Sequence, residues 1–188
     1  MATIYLFRHG QTEFNRDKRF TGDAESKLTS VGIQQARWIG KLLQFKKIQI
    51  AYHTHLSRSI DTLFEITRWH PECQQNIVDD RIIERSYGEL QTLYHADVIK
   101  FYGLEQYKKW HRGWDEKAPR GESFADVELR VQSFINDLHD KYHDKNIGIA
   151  ISAHGNSIRL FRKIFEKATI NQATSWVIPF DQYFEYGI

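Results

Sequence analysis

The sequence predicts an α/β fold, a three-layer α/β/α sandwich on a mostly parallel sheet. Short apolar runs, Ile4-Tyr5-Leu6-Phe7, Ile48-Gln49-Ile50-Ala51-Tyr52 and Ile147 to Ser152, have the length of buried strands. Each is followed by apolar residues at helical spacing, and strands that alternate with helices close into a parallel sheet covered on both faces. The strands also hand over to basic residues: Arg8-His9-Gly10 after the first, His53, His55 and Arg58 after the second, and His154-Gly155-Asn156 after the last.

The 188 residues suffice for one domain with a substantial core, and no linker-like composition divides them, so residues 1–188 are expected to form a single domain. Hydrophobic content of 41%, aromatic content of 14% and only three prolines exclude a disordered, collagenous or membrane-embedded chain. The first apolar run is interrupted by Arg8 and is too short for a signal-peptide core or a membrane span, so a cytoplasmic protein is expected. Cys73 is alone and permits no internal disulfide. A net charge of +2, with acids and bases interspersed, points away from nucleic acid and toward anion binding in a local pocket. His53-Thr54-His55 alternates like a metal-binding strand, but no acidic partner follows at ligand spacing, so the pair reads as polar loop residues and no metal site is expected.

Along the chain, Gln11 to Ser26 is polar and turn-rich and reads as a loop over the first strand's carboxyl end, with Asn15, Arg16, Arg19, Thr21 and Gly22 as donors. Thr29 is the expected N-cap of a helix whose inner face is Ile33, Ala36, Ile39, Gly40 and Leu43. The helix after Arg58 is expected to present Ile60, Leu63, Phe64 and Thr67. Ile77-Val78 fits a short strand, and the charge-rich run Asp79 to Gly88 reads as a solvated face unless Glu84 is brought beside His9. Ala96 to Trp114 is helical in composition, with Tyr102, Tyr107, Trp110 and Trp114 as packing aromatics. Ser123 and Asp126 resemble a helix cap before the apolar face Val127, Val131, Phe134, Ile135 and Leu138. A last helix carries Ile158, Leu160, Phe161, Ile164 and Phe165, and its first amides, after Gly155, are placed to bind an anion. Gln182 to Tyr186 reads as a final edge strand.

In open α/β sheets the ligand crevice lies beyond the carboxyl ends of the strands, where Arg8, His9, Arg58 and His154 all fall. With no P-loop, no metal-ligand cluster and no G-x-S-x-G elbow, phosphoryl transfer to an imidazole is the simplest chemistry for two histidines and two arginines. A phosphoryl group in flight needs fixed cations on its oxygens. Arg8 and Arg58 supply forked donors, and their charge keeps one histidine neutral and nucleophilic. His154 donates to the same phosphate, and Glu84 is the available proton donor to the leaving oxygen.

These residues resemble the histidine phosphatase superfamily and, within it, the cofactor-dependent phosphoglycerate mutases. The resemblance runs through Arg8-His9-Gly10-Gln11-Thr12 with Asn15, Arg19-Phe20-Thr21-Gly22, Leu56 to Leu63, Glu84 to Gln91, Arg120-Gly121-Glu122-Ser123 and Ala153 to Ser157. It implies a phosphoglycerate mutase-like fold, His9 as phosphohistidine nucleophile, Glu84 as general acid/base, and Arg8, Arg58 and His154 as the phosphate pocket. It further implies that Asn15, Thr21, Gly22, Tyr87, Arg112, Gly155 and Asn156 hold substrate or phosphate. His95 stands at another substrate position. The implied ligand is a small phosphorylated metabolite, with 2,3-bisphosphoglycerate as phosphoryl primer and no metal.

The chain departs from the mutase pattern at two charged positions: His95 replaces a lysine, and His111-Arg112 replaces an arginine pair. Histidine is shorter and only partly charged at neutral pH, which loosens the grip on a carboxylate or second phosphate. The segment before Arg120 is short and the sequence ends at Ile188 without an extended tail, so a more open site is expected to admit water. Three readings stand at this point: a mutase, a phosphomonoesterase using the same His9 intermediate, and a silent phospholigand-binding protein. The oligomeric state is not legible in the sequence, although a homo-oligomer is compatible with it.

Overall fold

The computed structural model describes residues 1–188. Five strands, β1 (Thr3–Arg8), β2 (Ile50–His53), β3 (Gln75–Val78), β4 (Gly148–Ala153) and β5 (Tyr183–Gly187), form one sheet in the order β3-β2-β4-β1-β5. The first four are parallel and β5 runs antiparallel along the edge of β1. Eight α-helices accompany them: α1 (Glu13–Arg16), α2 (Ser30–Leu43), α3 (Ser57–Thr67), α4 (His95–Tyr102), α5 (Leu104–Arg112), α6 (Phe124–Tyr142), α7 (Gly155–Glu166) and α8 (Ile170–Ser175). The arrangement is the expected α/β sandwich.

The period-two alternation of strand side chains divides the core. Ile4 and Leu6 of β1 and Ile149 and Ile151 of β4 face α6 and α7, where they pack with Val127, Val131, Phe134 and Phe161. Tyr5, Phe7 and Ala150 face the other way, onto Ile39 and Leu43 of α2 and Leu63 and Ile66 of α3. Full burial of such side chains stabilises the fold by about 1.5–3 kcal/mol each. A third, smaller cluster of Phe20, Tyr87, Leu90, Val98 and Ala118 lies under α4 and packs against Tyr107 and Trp110 of α5.

Local signals account for the helix starts. Thr29 Oγ1 accepts from Gly32 N at 3.0 Å, and Ser123 and Asp126 complete a reciprocal capping box. Gly10 and Gly32 let the chain after β1 lie directly on the first turn of α2: a Cβ at Gly10 would come within 2.2 Å of the Gly32 carbonyl oxygen.

Several expectations need correction. The loop from Gln11 to Ser26 contains the one-turn helix α1, capped reciprocally by Thr12 and Asn15. The stretch from Ala96 to Trp114 is two helices, broken at Gly103, where φ is +83°. In α3 the inward face is Arg58, Ser59, Thr62, Leu63 and Ile66, while Ile60 and Phe64 are exposed. Polar residues point inward there because their groups have buried partners: Ser59 Oγ donates to the Ser152 carbonyl at 2.8 Å, and Gly10 N donates to Thr62 Oγ1 at 3.0 Å. The helix α8, with its own Thr169–Gln172 capping box, carries no hydrophobic periodicity that marks it in the sequence.

Candidate active site

Parallel pairing in register brings the strand ends level. Arg8 stands opposite Ala153, and His9 N donates to the Ala153 carbonyl at 3.1 Å, so the residues following β1 and β4 leave the sheet side by side. The rings of His9 and His154 are consequently 5.0 Å apart. A cavity of about 240 Å³ opens above these ends.

His9 is 2% exposed and its Nδ1–H donates to the Gly10 carbonyl at 2.7 Å. That bond fixes the tautomer and leaves Nε2 as the free lone pair. Burial, reinforced by the charges of Arg58 and Arg8, holds the imidazole well below the ordinary value of 6.5, so it is neutral and nucleophilic at physiological pH. His154 is fully buried and held neutral in the same direction by burial and Arg58. Its Nε2 is 3.0 Å from Thr54 Oγ1, and its Nδ1 has no partner.

Arg58, at the start of α3, is also fully buried. Its two terminal nitrogens donate to the carbonyls of Ala24 and Gly22 at 2.7 and 2.6 Å. The expected free fork is thus committed to the preceding loop, and the unpartnered donor is Nε. Arg8 likewise commits Nη1 to the Ile178 carbonyl at 2.9 Å, lies under the ring of Phe180, and keeps Nε without a partner.

Glu84 is brought beside this group and is not a solvated residue. Arg130, from α6, donates to the carbonyls of Arg81, Ile83 and Glu84 and ties the segment down. The Oε1 of Glu84 accepts from Arg85 N at 2.8 Å and Asn156 N at 3.0 Å. The amide expected to bind a ligand anion at the start of α7 is therefore occupied by this carboxylate, which the positive helix end favours for the same electrostatic reason. Oε2 remains: a Cβ built on Gly155 would lie 3.4 Å from Glu84 Oε2 and 3.6 Å from the guanidinium carbon of Arg8.

Asn15, Thr21, Gly22, Tyr87, His95, Arg112, Gly155 and Asn156 all line the same cavity. Asn156 is held from both ends, donating to Tyr87 Oη at 3.3 Å and accepting from Arg159 Nη1 at 2.8 Å. Thr21 Oγ1 is buried without a partner. His95 and His111 face each other at 5.3 Å among the rings of Phe20 and Tyr107. Burial and the charge of Arg112 lower both, His111 to about 2, so both imidazoles are neutral. His55 is engaged elsewhere, with Nδ1 2.7 Å from Asp80 Oδ2, and His53 Nδ1–H donates to the Thr54 carbonyl.

Five arginines, 8, 19, 58, 112 and 159, line the cavity against the single carboxylate of Glu84. The arrangement suits a polyanionic phosphate ester, with a neutral imidazole for attack and a carboxyl group for proton transfer. The model of the histidine phosphatase superfamily (branch 1) matches residues 4–182. The chain belongs to the histidine phosphatase superfamily. Within this superfamily it is 34% identical over 160 residues to 2,3-bisphosphoglycerate-dependent phosphoglycerate mutase 2 of Gloeobacter violaceus, covering 85% of this chain and 73% of that protein. It is 33% identical over 172 residues to the phosphoglycerate mutase of Schizosaccharomyces pombe, covering 90% and 82%. A similar fold is seen in the solved structure of mycobacterial hydrolase 1, with a TM-score of 0.87 at 20% identity over 97% of this chain and 90% of that one.

Arg159, Val177 and Ile178 line the cavity although sequence reasoning assigned them nothing. For Arg159 a signal existed: it lies three residues after Asn156 on the same helix, which puts both on one face, and it interrupts the apolar residues Ile158, Leu160 and Phe161. Val177 and Ile178 lie in an irregular segment with no such pattern.

Proposed function

We propose that the chain is a 2,3-bisphosphoglycerate-dependent phosphoglycerate mutase that moves phosphate between C3 and C2 of glycerate through a phosphohistidine at His9. The observation that carries this reading is the convergence on Gly155 of the Glu84 carboxylate and the Arg8 guanidinium, beside a neutral His9. The relatives that bear the mutase name support the substrate. Residues 1–188 act in this reading as one domain, metal-independent and cytoplasmic, serving glycolysis and gluconeogenesis.

The primer 2,3-bisphosphoglycerate supplies the phosphoryl group that first charges His9. The site has unpartnered polar atoms for it: Arg8 Nε, Arg58 Nε, Thr21 Oγ1 and His154 Nδ1 are all buried without partners. With His9 phosphorylated, the free hydroxyl of bound 3-phosphoglycerate loses its proton to Glu84 as its oxygen attacks phosphorus. The N–P bond breaks and its electron pair returns to Nε2. Nε2 then attacks the original phosphoryl group, that P–O bond breaks, and the departing oxygen recovers the proton from Glu84. The arginines stabilise the charge spread over the phosphoryl oxygens in both halves.

A second reading, transfer to water, is favoured by the neutral His95–His111 pair, which offers less charge to retain a second anionic group. One experiment addresses both. Enzyme charged with 2,3-bisphosphoglycerate should carry an acid-labile phosphoryl group on His9 and interconvert the two monophosphoglycerates, and His9→Ala should do neither while remaining folded. Label lost to water and not to glycerate phosphate would support the phosphatase. A folded wild-type protein that takes no label would overturn both and leave a binding protein.

A further inference from the structure

The segment between α8 and β5, residues 176–182, has no regular structure, yet it is tied to the molecule at several points. Arg159 Nε donates to the Trp176 carbonyl at 2.9 Å, and the guanidinium carbon of Arg162 lies 4.0 Å from the centroid of the Trp176 ring. Ile178 is buried in the core between the sheet and the helices α6 and α7. A proline has φ fixed at about −65° and favours an extended residue before it, so Pro179 stiffens the link from Ile178 to Phe180. The sequence thus anchors one residue of the segment in the core and gives the residue two places on a restricted range of directions.

Both residues that flank Pro179 meet Arg8. The Ile178 carbonyl accepts from Arg8 Nη1 at 2.9 Å, and the centroid of the Phe180 ring lies 3.9 Å from the guanidinium carbon. The same ring is 6.3 Å from that of His9. At 3.9 Å the guanidinium is in stacking contact, and the ring quadrupole attracts the cation most where water is excluded. One contact therefore pins an end of the guanidinium and the other covers a face, while Nε stays buried without a partner. Arg8 and Phe180 also line a second cavity of about 420 Å³, together with Lys18, Arg19 and His95. Without the ring, the guanidinium gains room to turn toward that space, and water gains access to its face.

We propose that Phe180 is a positioning residue for phosphoryl transfer, which by stacking on Arg8 keeps the free Nε of that arginine aimed at the phosphoryl group as it moves to and from His9. This assignment rests on the phosphohistidine reading of the site and adds to it a residue that acts through Arg8 and not on the substrate. A donor held in place beforehand stabilises developing charge without reorganising at the moment of reaction. Loss of the ring therefore falls on the rate of transfer and spares substrate binding.

The test measures the single-turnover rate at which 2,3-bisphosphoglycerate charges His9 in wild type, Phe180→Leu and Phe180→Tyr. It adds the NMR order parameter of Arg8 Nε, whose resonance is identified by its absence from Arg8→Lys. Phe180→Leu fills much of the space but has no π face. It should charge about five- to tenfold more slowly with KM little changed, and its Arg8 Nε should become mobile. Phe180→Tyr keeps the ring and should stay within about twofold of wild type, with Arg8 ordered. Phe180→Met provides the comparison if the leucine variant folds poorly. Charging of Phe180→Leu at the wild-type rate, an equal loss in Phe180→Tyr, or a slowed variant whose Arg8 Nε is as ordered as in wild type would each overturn the proposal. Failure of wild type to form phosphohistidine from any donor would strike the reading beneath it and the proposal with it, whereas those three outcomes strike the proposal alone.

Discussion

Thr54 Oγ1 lies 3.0 Å from His154 Nε2, with both side chains fully buried. This contact couples the ring's tautomer to the hydroxyl: with Oγ1 as donor the proton of the neutral ring sits on Nδ1, the nitrogen that has no protein partner, and with Oγ1 as acceptor it sits on Nε2. Thr54 is therefore a positioning residue for the second histidine. Thr54→Val keeps the shape and removes the hydroxyl. We expect a fall in kcat of about tenfold, a smaller effect on KM, and a change in the His154 tautomer visible in ring-nitrogen NMR shifts. An unaltered tautomer with full activity would dismiss the role.

The buried histidines make a prediction about acid. His9, His154 and His111 are all held below 6.5, burial being the largest cause in each, so the unfolded chain takes up protons below about pH 6.5 that the native state refuses. The native state then loses stability as pH falls from that point, toward about 2 for His111, by up to ~1.4 kcal/mol per pH unit for each histidine. Urea midpoints at pH 7.5, 6.0 and 5.0 should decline progressively, and a flat profile would contradict it. Since His9 is already neutral, its titration should place no acid limb near pH 6.5 in the rate.

His95 lines the cavity, and in the proposed reaction it bears on how firmly the acceptor is held there. Its ring packs 4.1 Å from that of Phe20, and Tyr107 Oη lies 3.1 Å from Nδ1. His95→Lys adds a full charge at the cavity wall. We expect it to lower KM for phosphoglycerates several-fold and to raise transfer to glycerate relative to release of inorganic phosphate. The ratio of the two products from charged enzyme measures it directly.

Arg130 is the anchor of the segment that carries Glu84. Its guanidinium donates to three carbonyls there and to both oxygens of Glu122. Arg130→Leu leaves those carbonyls without donors and should cost about 2–4 kcal/mol of stability, with a loss of kcat larger than the loss of substrate affinity. A denaturant titration together with steady-state kinetics separates the two effects. Unchanged kcat in a destabilised but folded variant would show that Glu84 is positioned by other contacts.

Much of this architecture was legible because the signals were local. Thr29 and Ser123 mark helix starts through side-chain oxygens that satisfy free amides, and Ile4, Leu6, Ile149 and Ile151 mark strands by length and hydrophobicity. The strand-end histidines could be located for the same reason. What pattern alone misjudged was polarity turned inward. Arg58, Ser59 and Thr62 are buried because carbonyl and amide groups far away in sequence satisfy them, whereas Ile60 and Phe64 face solvent. Arg159 escaped notice for a related reason: its partners, Trp176 and Asn156, only acquire meaning once α7 and the segment after α8 are folded together. The resemblance of motifs supplied Glu84, which charge patterning alone would have left in solvent.

The placement of β1 has a kinetic consequence. This strand carries Arg8 and leads into His9, yet its two sheet neighbours are residues 148–153 and 183–187, and Ala2 exchanges backbone hydrogen bonds with Ile188. Pairings so distant in sequence are slow to form and carry the largest loop-closure entropy. The phosphate-handling end of the sheet must then be among the last parts of the molecule to assemble. During refolding, helical signal should recover first, and competence to accept a phosphoryl group should appear only with the final cooperative phase.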